Sequence, residues 1–292
     1  MIFLELTYHA ENENLTIRNV VKNKFNISSR LLTKLRKNNK ILLNGKSTYL
    51  DKPMVKNDVL NINLDFEEDN SNILPKAMSL EILFEDDCFL ILNKPANIAV
   101  HPSILHYDNS LSNGVKNYFD SINLKRKIRP VNRLDRDTSG IIIFAKNEYI
   151  QESLISQMKS NTFYKEYLAI LDGNLEKKTG TINAPISRKE DSIIERCISE
   201  TGSLAITEYS VIKDFENYCL VKFILKTGRT HQIRVHTKYI GHPILGDTLY
   251  GTPSQLISRQ ALHSNKVEFI HPLTGKSISL EVNPPSDMLN LL

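Results

Sequence analysis

The run Ile141-Ile142-Ile143-Phe144-Ala145 constrains this 292-residue chain more than any other stretch. Five consecutive apolar residues make a strand only where both of its faces are covered. Immediately before it stands Pro130-Val131-Asn132-Arg133-Leu134-Asp135-Arg136-Asp137-Thr138-Ser139-Gly140, dense in charged and turn-forming residues. A fold that buries the strand brings two arginines and two aspartates to the edge of its core, where charges are paired or used. The plainer reading is a solvated turn carrying surface ion pairs.

Two other clusters carry chemistry. Phe223-Ile224-Leu225 reads as a strand entering Lys226-Thr227-Gly228-Arg229, and Thr230 to Ile240 fits a helix capped by Thr230 and terminated by Gly241. Arg229, His231 and Arg234 crowd its start, where free N–H groups already favour an anion. His231 and His236 are five apart with no adjoining acidic ligand, so no metal is expected. In Phe163-Tyr164-Lys165-Glu166-Tyr167-Leu168-Ala169 the period of two puts Lys165 and Tyr167 on one face of a strand. On its own such a tyrosine is a packing residue.

The string Arg133-Leu134-Asp135-x-x-Thr138-Ser139-Gly140 followed by an apolar strand resembles the signature of the RluA-type pseudouridine synthases, which modify ribosomal and transfer RNA. Thr227 to Gly251, Lys165-x-Tyr167-x-Ala169, Leu92-Asn93-Lys94-Pro95-Ala96 and Val100-His101-Pro102 resemble further family segments in the family's order, from about residue 80 to residue 285. The resemblance implies that Asp135 is the catalytic aspartate, Arg234 the arginine paired with it, and Tyr167 the active-site tyrosine. It also implies RNA contact by Arg133, Arg229 and His231. Asn132 departs from the histidine many members carry there, and Asn97 from their glycine; asparagine tolerates the positive φ that glycine would supply.

Charge is unevenly distributed. Between residues 14 and 63 eleven Lys or Arg face two acids, a net of +9 in a chain of net +4, so the remainder carries −5. Such a basic unit on a mildly acidic body is the electrostatic footprint of a nucleic-acid-binding module. Leu15, Val20, Val21 and Phe25 have helical spacing, and a second helix follows Ser28-Ser29 with Leu31, Leu32 and Leu35 on its apolar face. Arg30, Lys34 and Lys37 then form one stripe expected to meet RNA phosphates. Asn44-Gly45 marks a hairpin, and Leu60 to Leu64 alternates as a strand. The unit, residues 14–64, resembles an S4 RNA-binding domain. Residues 65–79 read as a polar linker, and residues 80–292 as a catalytic domain. Removing residues 1–75 is expected to weaken RNA binding and flatten its salt dependence while leaving some activity on short substrates.

Sequential strands with few crossover helices predict an α+β body around a mostly antiparallel mixed sheet, the pseudouridine synthase fold by resemblance, beside a small α+β S4-like unit. No run reaches the length of a membrane span, and Met1-Ile2-Phe3-Leu4-Glu5 lacks a signal-peptide layout, so a cytoplasmic protein with no membrane partner is expected. Three scattered cysteines make neither a disulfide framework nor a zinc site. Pseudouridine formation breaks the N1–C1′ bond, turns the base and rejoins it through C5 without redox change. No cofactor is expected, in keeping with the lack of a phosphate-binding glycine fingerprint.

A carboxylate serves as nucleophile or base, and a neighbouring arginine favours its charged form. Whether Asp135 attacks sugar or base, or removes the C2′ proton, stays open, as does whether Tyr167 stacks on uracil or assists at C5. The base must leave its stack to reach the site. Large-subunit ribosomal RNA is the expected substrate, transfer RNA the alternative, and a monomer the expected form. A glycoside hydrolase would need a second catalytic carboxylate, for which only Asp137 offers itself. A non-catalytic S4-type RNA-binding protein would be expected to lose one of Asp135, Tyr167 and Arg234.

Overall fold

The computed structural model describes residues 4–11, 15–103 and 107–292. Residues 1–3, which bear on the reading of the N-terminus, and position 14, where the sequence reading starts the basic unit, lie outside the described residues. The N-terminal unit begins earlier than the charge pattern suggests. Its elements are β1 (Glu5–His9), α1 (Ile17–Asn19) continued by a wider turn over Val20–Lys24, α2 (Ser29–Lys37), β2 (Ile41–Leu43), β3 (Lys46–Ser47) and β4 (Val59–Asn63). The sheet order is β1-β4-β2-β3, all antiparallel.

Local chemistry explains these elements. Ser28 caps α2 by accepting the Leu31 N–H, and Leu31, Leu32 and Leu35 are buried. Asn44 and Gly45 both take positive φ, which a two-residue hairpin turn between β2 and β3 demands. β1 escapes the sequence reading because Leu6 is its only buried residue.

The body contains β5 (Ile82–Glu85), β6 (Phe89–Lys94), α3 (Leu111–Ser121), β7 (Arg129–Pro130), β8 (Ser139–Ala145), α4 (Glu148–Lys159), β9 (Tyr164–Asp172), β10 (Thr179–Asn183), β11 (Ile186–Arg188) and β12 (Arg196–Ile198). Then follow β13 (Ile206–Asp214), β14 (Tyr218–Leu225), α5 (Gln232–Tyr239), β15 (Leu262–Ile270), β16 (Ser277–Glu281) and α6 (Ser286–Leu289). A large mixed sheet runs β10-β13-β14-β9-β15-β8-β6-β5, with β16 on β15 and β7 on β8, while β11 and β12 form a separate hairpin. Among the described residues its strands pair antiparallel except β8 with β15. The fold is α+β with a mostly antiparallel mixed sheet, as the order of elements predicts.

β8 is buried along its whole length, and its two faces serve different cores. Ile141, Ile143 and Ala145 join an apolar cluster that also holds Leu31, Leu35, Ile62, Ile150 and Leu154, so the N-terminal unit and the body share it. Ile142 and Phe144 face a second cluster with Leu92, Phe119, Tyr167 and Phe223. The second residue of the strand is Gly140, whose φ is +107° and where an added Cβ would sit 2.2 Å from the Ser264 carbonyl oxygen. Only glycine admits β15 so close to the end of the charged loop.

Residues 65–79 carry no regular element but do not hang free. Glu68 is buried and receives both Arg129 Nη1 and Nη2, at 2.6 and 2.7 Å, as well as Lys34 Nζ. Among the described residues no helix is long and apolar enough to cross a membrane.

Candidate active site

The charged loop before β8 is held from within. Asn132 donates to the Ile141 carbonyl at 3.1 Å and accepts the Ile143 N–H at 2.9 Å, so it splices the loop to the backbone of β8. That inward use gives the residue found in place of the family's histidine a structural task. Lys94, fully buried, donates to the carbonyls of Pro95 at 2.8 Å, Ile98 at 2.9 Å and Arg136 at 2.8 Å. Burial pushes its pKa down to about 7, with Asp137 and Asp135 opposing the fall. Asn97, in the loop Lys94 anchors, has a φ of +63°.

Asp135 emerges from this frame with its side chain 23% exposed. Its Oδ2 accepts from Arg234 Nη1 at 2.9 Å, although the residues lie 99 positions apart. Arg234 is gripped from its other side: Nε donates to Asp247 Oδ2 at 2.7 Å and Nη2 to Oδ1 at 2.8 Å, and the Asp247 side chain is fully buried. Asp247 Oδ1 also accepts the N–H groups of Leu249 and Tyr250, which fixes the carboxylate itself. Burial alone would lower the Arg234 pKa, but the hydrogen bonds and charges of Asp247 and Asp135 raise it, so the guanidinium is charged. The Tyr250 ring lies 5.0 Å from the guanidinium carbon.

Helix α5, which carries Arg234, starts later than its sequence suggests. His231 precedes its first turn with φ +58° and ψ +21°, and the hydroxyl of Thr230 is not the cap. No side chain caps the helix; Gln232 instead ties down the loop ahead of it: its Oε1 accepts from the Arg229 N–H at 2.9 Å and from the Thr227 hydroxyl at 2.8 Å, and its amide donates to Ile206 and Thr207 on β13. The helix ends as the glycine predicts. Gly241 has φ +82°, its N–H reaches the Lys238 carbonyl, and the His242 N–H reaches that of Thr237.

Tyr167 lies on β9 opposite Phe223 and Ser264. Burial pushes its pKa up to about 12; a hydrogen bond with Ser264 opposes this rise and the charge of Asp135 adds to it. The residue is a neutral phenol inside the wall that Asp135 faces.

The positions read as RNA contacts fare differently. Arg133 is exposed and, among the described residues, makes no ion pair, while its charge helps lower the pKa of nearby His101 after burial. Arg229 is exposed, with Nε on the Leu204 carbonyl at 2.9 Å. His231 lines the site itself, Nε2 3.7 Å from Asp135 Oδ1. Lys34 binds Glu68 and Glu148, and Arg30 binds Glu148 at 3.0 Å, so two residues of the presumed RNA stripe are turned toward the body. A periodicity argument sees the stripe but not the carboxylates that α4 and residue 68 bring against it. Lys37 stays exposed and shares a shallow cavity with Arg18, Lys22 and Arg36.

Asp247, Tyr250, Gln232 and Lys94 were missed as site residues. The signal for Asp247 was its place after Gly246, whose φ of +75° and tight approach to the Arg259 carbonyl set the turn. Neither neighbouring carboxylate offers a second catalytic acid: Asp247 is sealed on Arg234, and Asp137 pairs with Arg136 at 2.8 Å. This geometry disfavours glycoside hydrolysis. His236 is a buried structural residue between Thr207 and the Ala184 carbonyl. Asp86, Cys88 and His271 cluster elsewhere, but His271 Nδ1 accepts the N–H groups of Leu273 and Thr274, which leaves its proton on Nε2 for Asp86 at 3.0 Å. Hydrogen bonds thus already engage Asp86 and His271.

Residues 88–239 match the RNA pseudouridylate synthase family, and residues 4–60 match the N-terminal domain of the RluD ribosomal pseudouridine synthases. The RNA pseudouridine synthase YhcT of Bacillus subtilis (strain 168) is 38% identical over 99% of this chain and 96% of its own length. The ribosomal large subunit pseudouridine synthase D of Blochmanniella floridana is 33% identical over 87% of this chain and 86% of its own. Among solved structures, human RNA pseudouridylate synthase domain containing 1 superposes with a TM-score of 0.59 at 25% identity, over 71% of this chain and 84% of that one. A charged loop that presents Asp135 just ahead of a buried strand, with a clamped arginine facing it, thus sits in a chain that belongs to the RNA pseudouridylate synthases, isomerases that act on RNA.

Proposed function

We propose that Asp135 initiates the isomerisation, that Arg234 holds its carboxylate, and that Tyr167 packs against the flipped uracil. The observation that carries this reading is the chain of contacts Asp135–Arg234–Asp247, in which one arginine joins a part-exposed carboxylate to a fully buried one. Such a bridge fixes the reactive group while leaving it open to substrate, and orientation of this kind is a large share of catalytic power. The neutral phenol of Tyr167 offers an uncharged surface for a base, and Arg133, exposed on the same loop, reaches out to fill the gap in the helix.

The substrate is large-subunit ribosomal RNA, bound by a single chain in the cytoplasm. Support comes from relatives named as ribosomal large subunit enzymes and from the match of residues 4–60 to the RluD N-terminal domain. The N-terminal unit grips phosphates through Lys22, Arg36 and Lys37 around the shallow cavity, with Arg30 and Lys34 docking it to the body. Tritium release from large-subunit ribosomal RNA labelled at uridine C5 tests the reading. Asp135→Asn should abolish release while the protein stays folded; undiminished release by this variant removes Asp135 from the chemistry.

A further inference from the structure

The two oxygens of Asp135 are not equivalent. Oδ2 is taken by Arg234 at 2.9 Å, whereas Oδ1 has no side-chain hydrogen bond among the described residues and lies 3.7 Å from His231 Nε2, too far for one. His231 is itself held in a set orientation. Its Nδ1 lies 2.8 Å from the Tyr250 hydroxyl, and that hydroxyl accepts the Arg196 N–H, also at 2.8 Å. With one lone pair of the phenol oxygen used in this way, its proton is available to Nδ1, the tautomer that leaves the imidazole proton on Nε2, the nitrogen nearer Oδ1. The ring stands edge-on to Tyr250 with centroids 5.6 Å apart.

The backbone adds a second, independent sign. His231 takes φ +58° directly ahead of α5, a conformation that costs a non-glycine residue free energy and persists where surrounding structure enforces it. A glycine here would relieve that cost, and an ordinary loop would leave the ring pointing to solvent. Here the ring is half-buried between Asp135 and the β11–β12 hairpin that supplies Arg196.

We propose that Oδ1 is the reacting oxygen of Asp135 and that His231 is a positioning residue, whose Nε2 edge beside Oδ1 limits the swing of the carboxylate so that Oδ1 faces the flipped nucleotide. The gap of 3.7 Å leaves the lone pairs of Oδ1 free for substrate, while the ring beside it confines the carboxylate plane about its hydrogen bond to Arg234. His231 is thereby moved from an RNA contact to a guide of the nucleophile. This inference rests on the reading of Asp135 as the initiating group.

The test uses the full chain and large-subunit ribosomal RNA tritiated at uridine C5. His231→Gly should keep or raise the melting temperature, since glycine adopts this φ freely, yet lower kcat by about 10- to 100-fold with KM changed by less than about threefold. His231→Gln, whose amide nitrogen reaches the position of Nε2, should restore most of kcat. His231→Asn, which tolerates the backbone but reaches only Tyr250, should behave like glycine. A glycine variant within about twofold of the parent in kcat, a loss confined to KM, or a glutamine variant no better than asparagine overturns the proposal. Asp135→Asn is run in parallel: release that survives it sinks the reading of Asp135, whereas release that stops there but ignores His231 sinks the present inference alone.

Discussion

Asp247→Asn isolates the clamp on Arg234 with little change of shape. The amide keeps an oxygen for the Leu249 and Tyr250 N–H groups, but it removes the negative charge and sets an NH2 group against one guanidinium N–H. Removing one partner of a buried pair costs about 3–5 kcal/mol, because the other charge is left uncompensated. Arg234 retains Asp135, so the lower figure applies, about 3 kcal/mol. At roughly 2–4 °C per kcal/mol for a chain of this size class, the melting temperature should fall by roughly 6–12 °C.

The catalytic effect has a separate origin. A guanidinium no longer gripped on two sides lets Asp135 drift, and a misplacement of about 1 Å is worth about 100-fold in kcat. Thermal unfolding and tritium release from labelled ribosomal RNA, measured on the same preparation, report both quantities. A variant melting within about 2 °C of the parent and turning over within about threefold of it would refute the claim that Asp247 holds Arg234 in place. A double-mutant cycle with Asp135→Asn sharpens the test, since residues sharing one partner should show coupling of at least about 0.5 kcal/mol.

Glu68→Gln should destabilise the protein by about 3 kcal/mol in urea unfolding, and Lys34→Ala by less, because Glu68 is buried with Arg129 while Lys34 is 31% exposed; the reverse order would contradict the buried-pair argument. Replacing Lys22, Arg36 and Lys37 together by alanine should flatten the log–log salt dependence of RNA binding by about 2–3, and an unchanged slope would exclude this face as the phosphate site. His263 is buried against Ser139 and Val282, and burial pushes its pKa down to about 4 from 6.5. Below pH 6.5 the unfolded chain binds a proton that the folded one refuses, so stability is lost as pH falls toward 4, by about 2 kcal/mol at pH 5. His263→Asn should show a flatter loss over that window in chemical denaturation, and an equal slope would assign the loss to other groups.

Local rules carried the elements with strong periodicity or capping: α2 after Ser28, the Asn44-Gly45 turn, β8, β9 and the end of α5 at Gly241. They failed where the signal is faint, as in β10, where Ile182 is the one buried side chain. The start of α5 eluded them because no side chain caps it: His231 takes a left-handed conformation ahead of the first turn, and Gln232 binds the preceding loop. Nothing in spacing joins Asp135 to Arg234 across 99 positions; family resemblance alone suggested it. Resemblance did not single out Asp247, whose burial is a property of the folded turn. The fate of Arg30 and Lys34 is instructive for the same reason. Charge periodicity finds an exposed stripe on an isolated helix, but their partners Glu68 and Glu148 come from elsewhere in the chain.

Because alternate residues of β8 feed two cores, and one of those cores runs on into the N-terminal unit, the N-terminal unit and the body should melt together. Calorimetry should record one endotherm, and cutting the chain at residue 75 would strip the cover from Ile141, Ile143 and Phe89 and yield an aggregating fragment, contrary to the picture of a detachable module. The strand works as a keel: the side chains on one of its faces hold the N-terminal unit to the body, so a change at Ile141 or Ile143 should be felt in both.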